Sequence, residues 1–357
     1  MRLTRVRVRP ARPGPRPARR TATMKTELLL IDTPPRFAAA VTRAAELLRA
    51  GELAALPTET VYGLAANALD EQAAAKIYQV KGRPANNPII VHVASLEMAR
   101  KCVRDWPATA EKLARAFWPG PLTLVLPRAA GIPLTVTAGG DTVGIRWPAH
   151  PLMQAVIRAC GFPLAAPSAN LSNRISPTNA GHVCSQLGGR IPLIVDGGQS
   201  QVGIESTVLD LTVTPARILR PGMVRAAALA AAGVPVADGP LTANGTLKSP
   251  GLLKKHYAPK AKLRVLSWTS EADLRAQIGA GAAVAGGVQI VAHTNIPAGF
   301  GAANVSVIPH DAAAYARALY AELHRCDEAG AGLIVVEAPP DTPEWAGIAD
   351  RLRRAAA

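Results

Sequence analysis

Apolar positions recur with helical spacing near the start of the chain. Residues 37–48 place their apolar side chains on one helix face, and Gly51 follows as a helix terminator. Residues 53–56 are continuously apolar and predict a buried strand. A second helix is predicted over residues 71–80, because Asp70 stands at the position of an N-cap.

Short β-rich runs then alternate with helical patterns to about residue 238. The predicted strands are residues 88–93, 122–126, 142–146, 164–166, 193–195, 207–211 and 217–219. The predicted helices lie near residues 97–104, 108–117, 151–160 and 177–187. This mixture is typical of an α/β domain built on a mixed sheet.

The character of the sequence changes at residues 239–261, where Gly, Pro, Asn and Thr predict a linker with some local order. Beyond it, strands are predicted at residues 263–267, 288–292, 304–308 and 333–337, with helices at 271–279, 311–328 and 344–354. Such alternation is typical of a small, mostly parallel, doubly wound domain of Rossmann-like form. The predicted division is an extension (1–23), a first domain (24–238), a linker (239–261) and a C-terminal domain (262–357).

Basic residues are concentrated at the N-terminus. Residues 1–23 hold eight Arg and no acid, so they carry eight charges of the net +15 and leave +7 on the rest. The segment is rich in Arg and Pro, cannot build a core and lacks the apolar stretch of a secretory signal. The interpretation that we favour is an upstream extension without function, because Met24 looks like a natural start. A nucleic-acid-binding arm and an organelle transit segment are the alternatives.

The overall composition predicts a folded, soluble protein, with 49% hydrophobic and 18% charged residues. No apolar run approaches the roughly 20 residues of a membrane helix, so we expect no membrane association. The cysteines show no CxxC spacing, and we expect reduced thiols in a cytoplasmic protein. They are Cys102, Cys160, Cys184 and Cys326.

Common nucleotide-binding and hydrolase motifs are missing from the sequence. It contains neither the GxxxxGK[ST] phosphate loop nor the GxGxxG dinucleotide fingerprint, and neither HExxH nor GxSxG. Any bound polyphosphate would therefore depend on side-chain cations, of which four lie near predicted strand ends or loops: Lys81, Arg83, Arg146 and Arg220. Each taken alone could equally be a solvated surface charge.

Several polar residues allow both a structural and a functional interpretation. Ser168 and Asn170 fit a turn that bonds to backbone, or a binding loop. Ser176 precedes a proline and fits a helix N-cap, which could also present free amides to a phosphate. Ser206 fits cross-strand hydrogen bonding or substrate contact. His92 lies in an apolar run and would by default be a satisfied core histidine.

Together these segments resemble the YrdC-like family, the threonylcarbamoyl-AMP synthases. The matching residues are PTETVYGL (57–64), KGRP (81–84), NPIIVHV (87–93), WPGPLTLVL (118–126), TVGIRWPAHP (142–151), AAPSANLSNRISPT (165–178), VDGG (195–198), ESTVLDLT (205–212) and ILRPG (218–222). SPGLLKKHYAP (249–259) further resembles the family's long, two-domain form. The resemblance implies a YrdC-like twisted, mixed open sheet with helices and a smaller Rossmann-like C-terminal α/β domain.

The resemblance implies an enzyme that converts L-threonine, bicarbonate and ATP to L-threonylcarbamoyl-AMP and pyrophosphate. Downstream transfer proteins would then pass the threonylcarbamoyl group to the adenosine next to the anticodon of certain tRNAs. Contact with tRNA, as double-stranded RNA, is a further implication. Such a nucleotidyltransferase needs no covalent intermediate, so a nucleophile motif is not required. Mg²⁺ is expected with the triphosphate, held mainly by phosphate oxygens and water.

The resemblance also implies roles for individual residues, with no catalytic nucleophile and no protein metal cage. Arg146 would pair with the threonine carboxylate, and Tyr257 would close over the nucleotide. The implied threonine-side residues are Thr58, His92, Arg146 and Ser206. The implied ATP-side residues are Lys81, Arg83, Thr142, Ser168, Asn170, Ser176, Arg220 and Tyr257.

Two other functions are compatible with the residues. One is a non-catalytic RNA-binding module of the same fold, which the net positive charge permits. However, the sequence lacks the interleaved aromatic residues of single-stranded RNA platforms. The other is a relative that adenylates carbamoyl groups for another pathway, although the zinc-finger-like cysteines usual in such relatives are absent.

Overall fold

A computed structural model describes residues 24–237, 249–251, 256–279 and 285–357 of the chain. The predicted N-terminal extension and most of the predicted linker lie outside the described residues, and their interpretations stay predictions. The described residues form two separate sheets, one before the linker and one after it.

The elements before the linker are as follows. The strands are β1 (Glu27–Leu30), β2 (Ala54–Leu56), β3 (Gly63–Asn67), β4 (Val91–His92), β5 (Leu122–Pro127), β6 (Thr142–Arg146), β7 (Leu164–Ala165), β8 (Leu193–Asp196), β9 (Thr207–Asp210), β10 (Ala216–Arg220) and β11 (Val236–Ala237). The helices are α1 (Pro34–Arg49), α2 (Glu71–Lys81), α3 (Leu96–Lys101), α4 (Ala108–Phe117), α5 (Leu134–Thr137), α6 (Pro151–Cys160), α7 (Ala180–Leu187) and α8 (Ala226–Ala231).

The first sheet is mixed and lies between two layers of helices. Across the described residues its strand order is β1-β8-β2-β3-β7-β4-β6-β5-β9-β10-β11. Helices α1 and α6 cover one face, and α2, α4 and α7 cover the other. Strand β2 shows why its sequence is continuously apolar: Ala54 and Leu56 point into one helical layer and Ala55 into the other.

The two ends of α2 follow from single residues. Asp70 caps the first turn, because its carboxylate accepts hydrogen bonds from the backbone amides of Gln72 and Ala73, which confirms the predicted N-cap. Gly82 ends the helix in the left-handed conformation with φ 59°, which glycine adopts at little cost. Lys81 and Arg83 therefore lie on either side of a sharp turn.

The C-terminal sheet is parallel throughout and has the order β12-β15-β13-β14 in the described residues. Its elements are β12 (Lys262–Leu266), α9 (Glu271–Ile278), β13 (Val288–Ala292), β14 (Val305–Val307), α10 (Ala312–Glu328), β15 (Leu333–Glu337) and α11 (Ala346–Ala355). Alternate residues of β15 pack toward α9 and toward α10 and α11. Burial on both faces is typical of the predicted doubly wound domain.

Helices α10 and α11 also pack against the first domain. One continuous apolar cluster joins Ile204 and Tyr257 to Leu319 on α10 and Ile348 on α11. The backbones approach most closely at Gly203, where a Cβ atom would lie 2.3 Å from the carbonyl oxygen of Ala316. The C-terminal domain therefore packs directly against residues 203–204.

The predicted fold class is confirmed, while several elements differ from their predicted bounds. The strand predicted at 88–93 is only Val91–His92, because the amide of Ile89 donates instead to the carbonyl of Val136 in α5. Strand β3 was not predicted, since its sequence GLAAN has weak β propensity and its pairing with β2 and β7 places it in the sheet.

The helix predicted at 177–187 begins three residues later than expected. Its N-cap is Asn179, whose side chain accepts a hydrogen bond from the amide of His182, and not Ser176. The carbonyls of Pro177 and Thr178 accept hydrogen bonds from Tyr62 and Ser200 in other segments, which keeps this stretch extended. The predicted capping role of Ser176 is therefore wrong, while its ATP-side role stays a prediction.

The thiols are free, with Cys102, Cys160 and Cys326 buried and Cys184 exposed. Within the described part of the chain, no helix is both long and apolar enough to cross a bilayer.

Substitution of Gly203 tests the domain contact. Gly203→Ala should lower the free energy of unfolding by roughly 3–5 kcal/mol, because it combines left-handed backbone strain with a backbone clash. Gly139→Ala is the matched control: φ is 81° there against 83° at Gly203, and no atom lies within 4 Å of its added Cβ. We expect the control to lose about 1–2 kcal/mol. Urea unfolding measures both, and equal losses would contradict a tight contact at Gly203.

Candidate functional site

A crevice lies where strand ends of the first sheet meet the linker. The last residues of β4 and β6 reach it, as does the residue before β9. The predicted site residues that line it are Thr58, Arg83, His92, Arg146, Ser168, Ser206, Arg220 and Tyr257. The predicted residues outside its lining are Lys81, Thr142, Asn170 and Ser176.

The hydroxyl of Ser206 is held by two neighbours at the crevice. Its Oγ lies 2.8 Å from Oγ1 of Thr123 on β5, so the cross-strand hydrogen bond is present. Nη2 of Arg220 donates to the same Oγ at 3.1 Å. Thr58 is fixed differently, since its Oγ1 donates to the carbonyl of Val61 at 2.6 Å and closes the turn after β2.

His92 is buried but is not a satisfied core histidine. Its Nδ1 has no hydrogen-bond partner among the described residues, although only 3% of the residue is exposed. Burial, aided by the charge of Arg146, lowers the pKa of His92 to about 3, so the ring is neutral near pH 7. An uncharged, unpaired ring nitrogen therefore borders the crevice.

Arg146 forms a buried ion pair with a residue that the sequence did not single out. Its Nη2 lies 2.7 Å from Oε1 of Glu59, and both side chains are at most 10% exposed. The contact lacks hydrogen-bond geometry, and both atoms have no hydrogen-bond partner in the described residues. The charges of Arg146 and Glu59 therefore offset each other, while Arg146 Nη2 and Glu59 Oε1 remain able to form hydrogen bonds.

Lys81 and Arg83 are buried cations whose partners are neutral oxygens. The Lys81 ammonium donates to the carbonyl of Ser168 at 2.6 Å and also to Asn170. The Arg83 guanidinium donates to Asn87 and to the carbonyl of Pro88. In the described part of the chain, no carboxylate forms a salt bridge with either. Burial, followed by the charge of Arg83, lowers the pKa of Lys81, so the pair favours an added anion.

The turn over Ser168 and Asn170 has the structural contacts expected of it. Ser168 Oγ donates to Asn170 Oδ1 at 2.6 Å, and Asn170 Nδ2 donates to the carbonyl of Arg174 at 2.7 Å. The ammonium of Lys81 stabilises this turn through its hydrogen bonds to Ser168 and Asn170. Asn170 and Lys81 therefore support Ser168, which lines the crevice.

Thr142 lies at the far end of β6 from the crevice. It pairs with Pro127 on β5. Since a strand rises about 3.3 Å per residue, it lies roughly 13 Å from Arg146. The structure does not bring Thr142 together with the other predicted residues.

Ser176 contacts a second carboxylate that the sequence did not single out. Its Oγ donates to Oε1 of Glu205 at 2.5 Å. Burial alone would raise the pKa of Glu205, but the charges of Arg351 and Arg220 and two hydrogen bonds lower the pKa to about 2. Glu205 is therefore ionised at the crevice.

The described linker residues cover the crevice. Pro250, His256 and Tyr257 line it, and Tyr257 is fully buried with φ 63°. Its hydroxyl has no hydrogen-bond partner of suitable geometry in the described residues, although it lies beside Gly251 and Arg220. The space left for water is about 40 Å³, far below the roughly 300 Å³ of a small ligand pocket.

A histidine pair joins α7 to α10 behind the crevice. The rings of His182 and His324 stack with centroids 3.8 Å apart, and His324 Nε2 bonds to the carbonyl of Ser176 at 3.2 Å. Burial lowers the pKa of His182 to about 3, aided by the neighbouring His324, and burial lowers the pKa of His324 to about 4. Both rings are neutral at pH 7.

Sequence reasoning missed Glu59, Thr123, Glu205 and Arg351. The first three lie inside or beside the motifs that were singled out, so a search for partners of the predicted cations could have found them. Arg351 lies among other basic residues at the C-terminus, and nothing in its local sequence marks it.

Comparison with known families covers nearly the whole chain. A Sua5/YciO/YrdC family model, described as "Telomere recombination", matches residues 46–222. A second model, described as "Threonylcarbamoyl-AMP synthase, C-terminal domain", matches residues 220–357.

Two curated relatives carry the name threonylcarbamoyl-AMP synthase. The protein of Pyrococcus abyssi is 46% identical over 226 residues, which is 62% of this chain and 66% of that protein. The protein of Bacillus subtilis is 42% identical over 323 residues, which is 88% of this chain and 92% of that protein.

Solved structures of P. abyssi Sua5 share the fold. The complex with L-threonine has a TM-score of 0.82 and 36% identity, covering 93% of this chain and 98% of that one. A variant with an adjacent histidine and tyrosine replaced by alanine also has a TM-score of 0.82, with 35% identity and coverage of 93% and 96%.

The histidine pair predicts loss of stability in mild acid. Unfolded histidines bind protons near pH 6.5, whereas His182 and His324 resist protonation down to about pH 4. Between these values the unfolded state binds more protons, so the free energy of unfolding falls as pH falls, by about 1.4 kcal/mol per pH unit for each ring. Replacing both rings, His182→Gln with His324→Gln, should reduce this slope in urea titrations from pH 7 to pH 4.5, while buried His92 and His256 keep their own contributions. An unchanged slope would show that other groups cause the acid sensitivity.

Proposed function

The chain belongs to the Sua5/YciO/YrdC family of threonylcarbamoyl-AMP synthases in its two-domain form, and on this basis we propose that it condenses L-threonine, bicarbonate and ATP in the crevice. The observation that carries the proposal is the charge pattern. Lys81 and Arg83 are buried without a carboxylate partner among the described residues, beside the hydroxyls of Ser168 and Ser206. Such a site favours a polyphosphate next to a small polar substrate.

The threonine side of the proposed complex lies around Arg146. Its guanidinium would pair with the substrate carboxylate, while Glu59 keeps the arginine in place. His92 Nδ1 and Ser206 Oγ would contact the polar groups of the substrate. The complex of P. abyssi Sua5 with L-threonine supports threonine as the substrate, because the two proteins share their fold.

The proposed reaction proceeds in two steps and needs no covalent enzyme intermediate. Bicarbonate and the threonine amine form a carbamate with loss of water, and a carbamate oxygen attacks the α-phosphorus of ATP. The bond to pyrophosphate breaks as the new P–O bond forms. The protein would hold the carbamate and ATP in position and supply positive charge, because both reactants are anions that repel each other in water.

Mg²⁺ is proposed to arrive with the triphosphate. No group of three or more His, Cys, Asp and Glu side chains in the described residues could hold a metal, and Glu59 and Glu205 are already paired with arginines. The ion would be held by phosphate oxygens and water, and would supply charge neutralisation. The residues of this chain would orient the nucleotide around it.

The product is proposed to serve tRNA modification in the cytoplasm. A mixed phosphoric–carbamic anhydride is readily hydrolysed, so it must pass to a threonylcarbamoyl-transfer protein that acts on tRNA. Contact of this chain with tRNA, or with other double-stranded RNA, stays a prediction from the resemblance. The described crevice offers no exposed aromatic platform that would favour the non-catalytic RNA-binding alternative.

Pyrophosphate release tests the proposed function. Purified protein with ATP should release pyrophosphate only when both L-threonine and bicarbonate are present, since the carbamate is the nucleophile. Each substrate is omitted in turn, and L-serine in place of L-threonine serves as the specificity control. Equal release without threonine would remove the proposal.

We further propose that the described linker residues act as a lid over the nucleotide. Pro250 and Tyr257 line the crevice and leave little free space in it, so we expect this segment to move when ATP binds. Its return would exclude water from the adenylate. The sequence has a single His-Tyr pair, His256–Tyr257, and a P. abyssi Sua5 structure replaces such a pair with alanines.

Removal of one hydroxyl tests the lid. Tyr257→Phe should leave the free energy of unfolding within about 0.5 kcal/mol of the parent, because the lost hydroxyl, although it lies near Arg220, has no hydrogen-bond partner of suitable geometry in the described residues. It should raise the KM for ATP roughly tenfold if the hydroxyl meets the nucleotide. Tyr315→Phe is the matched control, since Tyr315 is also fully buried with an unpartnered hydroxyl but lies outside the crevice. Equal kinetics for both variants would contradict the lid.

A further inference from the structure

One buried ion pair connects the C-terminal domain to the crevice. Arg351 on α11 is fully buried, and its Nε donates to Oε2 of Glu205 at 2.8 Å. Its Nη2 donates to the carbonyl of Glu205 at 3.1 Å, and its Nη1 to the carbonyl of Pro221 at 2.8 Å. One guanidinium from the second domain thus fixes both the side chain and the backbone of a residue that lines the crevice.

Both oxygens of the Glu205 carboxylate are occupied. Oε1 accepts the Ser176 hydroxyl at 2.5 Å, while Oε2 accepts the hydroxyl of Tyr320 on α10 at 3.1 Å as well as Arg351. Glu205 therefore couples the Ser176 segment to two helices of the C-terminal domain. The next residue, Ser206, donates or accepts at the crevice through its own hydroxyl.

Three contacts of the C-terminal domain converge on these two segments. His324 bonds to the carbonyl of Ser176, Arg351 bonds to Glu205, and α10 touches the backbone at Gly203. A contact that served only to join two domains would not need to end on Glu205, which lines the crevice. Here a fully buried charge, costly to desolvate, is placed directly behind that wall.

The charge of Arg351 also has an electrostatic consequence for the crevice. Without it, Arg220 alone of the two arginines would offset the negative charge of Glu205, in a cavity that is proposed to receive two anions. With it, the carboxylate is neutralised from behind and acts as an oriented hydrogen-bond acceptor. Arg220, which donates to the carbonyl and Oγ of Ser206, then stays available on the crevice side.

We propose that Arg351 is a positioning residue for the reaction: through Glu205 it fixes Ser176, Ser206 and Arg220, so that the C-terminal domain completes the active site of the first domain. The inference rests on the proposed function, because it requires ATP and threonine to bind in this crevice. It assigns Arg351 no contact with substrate. It predicts that catalysis and domain attachment can be separated by substitution.

The test compares single and double replacements of the pair. Arg351→Met and Glu205→Gln each leave a buried charge without its partner and should lower Tm. The double variant removes both charges of this pair, while Asp350, the other acidic partner of Arg351, keeps Arg353 and Arg354 as partners. Neutral replacement of a buried pair is tolerated far better than loss of one partner, so the Tm of the double variant should return toward that of the parent. Arg353→Met is the matched control on the same helix, because that side chain is 74% exposed. Arg351→Lys keeps the charge but loses the multiple donors, and should recover only part of the rate.

Pyrophosphate release separates positioning from a structural role. We expect kcat/KM to fall about 100-fold in Arg351→Met and to stay low in the double variant despite its recovered Tm, because misplaced groups cost about this factor. The control should stay within twofold of the parent. Recovery of both Tm and kcat/KM in the double variant would overturn the proposal. If Arg351→Met does not fold, the double and Arg351→Lys variants decide the question.

Hydrogen exchange of the ligand-free chains makes the outcome independent of the proposed function. Positioning predicts faster amide exchange in the double variant at residues 174–178 and 203–207, with α10 and α11 still protected. Unchanged exchange at both segments would overturn it. If the parent released no pyrophosphate, only the proposed function would be contradicted. The hydrogen-exchange comparison would still show whether Arg351 orders these two segments.

Discussion

Two carboxylates hold two of the arginines near the crevice, while Lys81 and Arg83 have only neutral oxygens as partners in the described residues. Much of the local structure depends on this unequal pairing. Glu59 and Glu205 keep Arg146 and Arg351 in place at the cost of desolvating four charges. The cations without acidic partners leave an excess of positive charge in a region from which water is largely excluded, and an anion that enters it would be attracted more strongly than at the protein surface.

The same pairing explains why the two domains are not independent. The apolar cluster that joins α10 and α11 to Ile204 and Tyr257 supplies non-directional attraction. It does not by itself fix the orientation of the C-terminal domain to a fraction of an ångström. Directed contacts from Arg351, Tyr320 and His324 do so, because hydrogen bonds to a buried carboxylate and a buried carbonyl tolerate little displacement.

The fold could be predicted from local patterns where those patterns are also what stabilises each element. Helix α2 is such a case, since Asp70 and Gly82 mark both of its ends. Prediction failed where distant partners decide the conformation. Ser176 has the local form of an N-cap, yet hydrogen bonds from Tyr62 and Ser200 keep the next residues extended, and its hydroxyl goes to Glu205. Most residues that line the crevice could be predicted because they lie in motifs, whereas Arg351 contacts Glu205 through tertiary packing alone.

The contact at Gly203 limits motion of the domain interface in one direction only. Where the main chains of the Gly203 loop and α10 touch, no side chain lies between them that could change rotamer and yield. Helix α10 can therefore move away from the loop but cannot move closer to it. Thermal motion of the interface is asymmetric in consequence: α10 can move outward, and its inward limit is set by steric repulsion between the two main chains instead of by side-chain packing. The main-chain contact therefore sets the smallest separation that the Gly203 loop and α10 can reach.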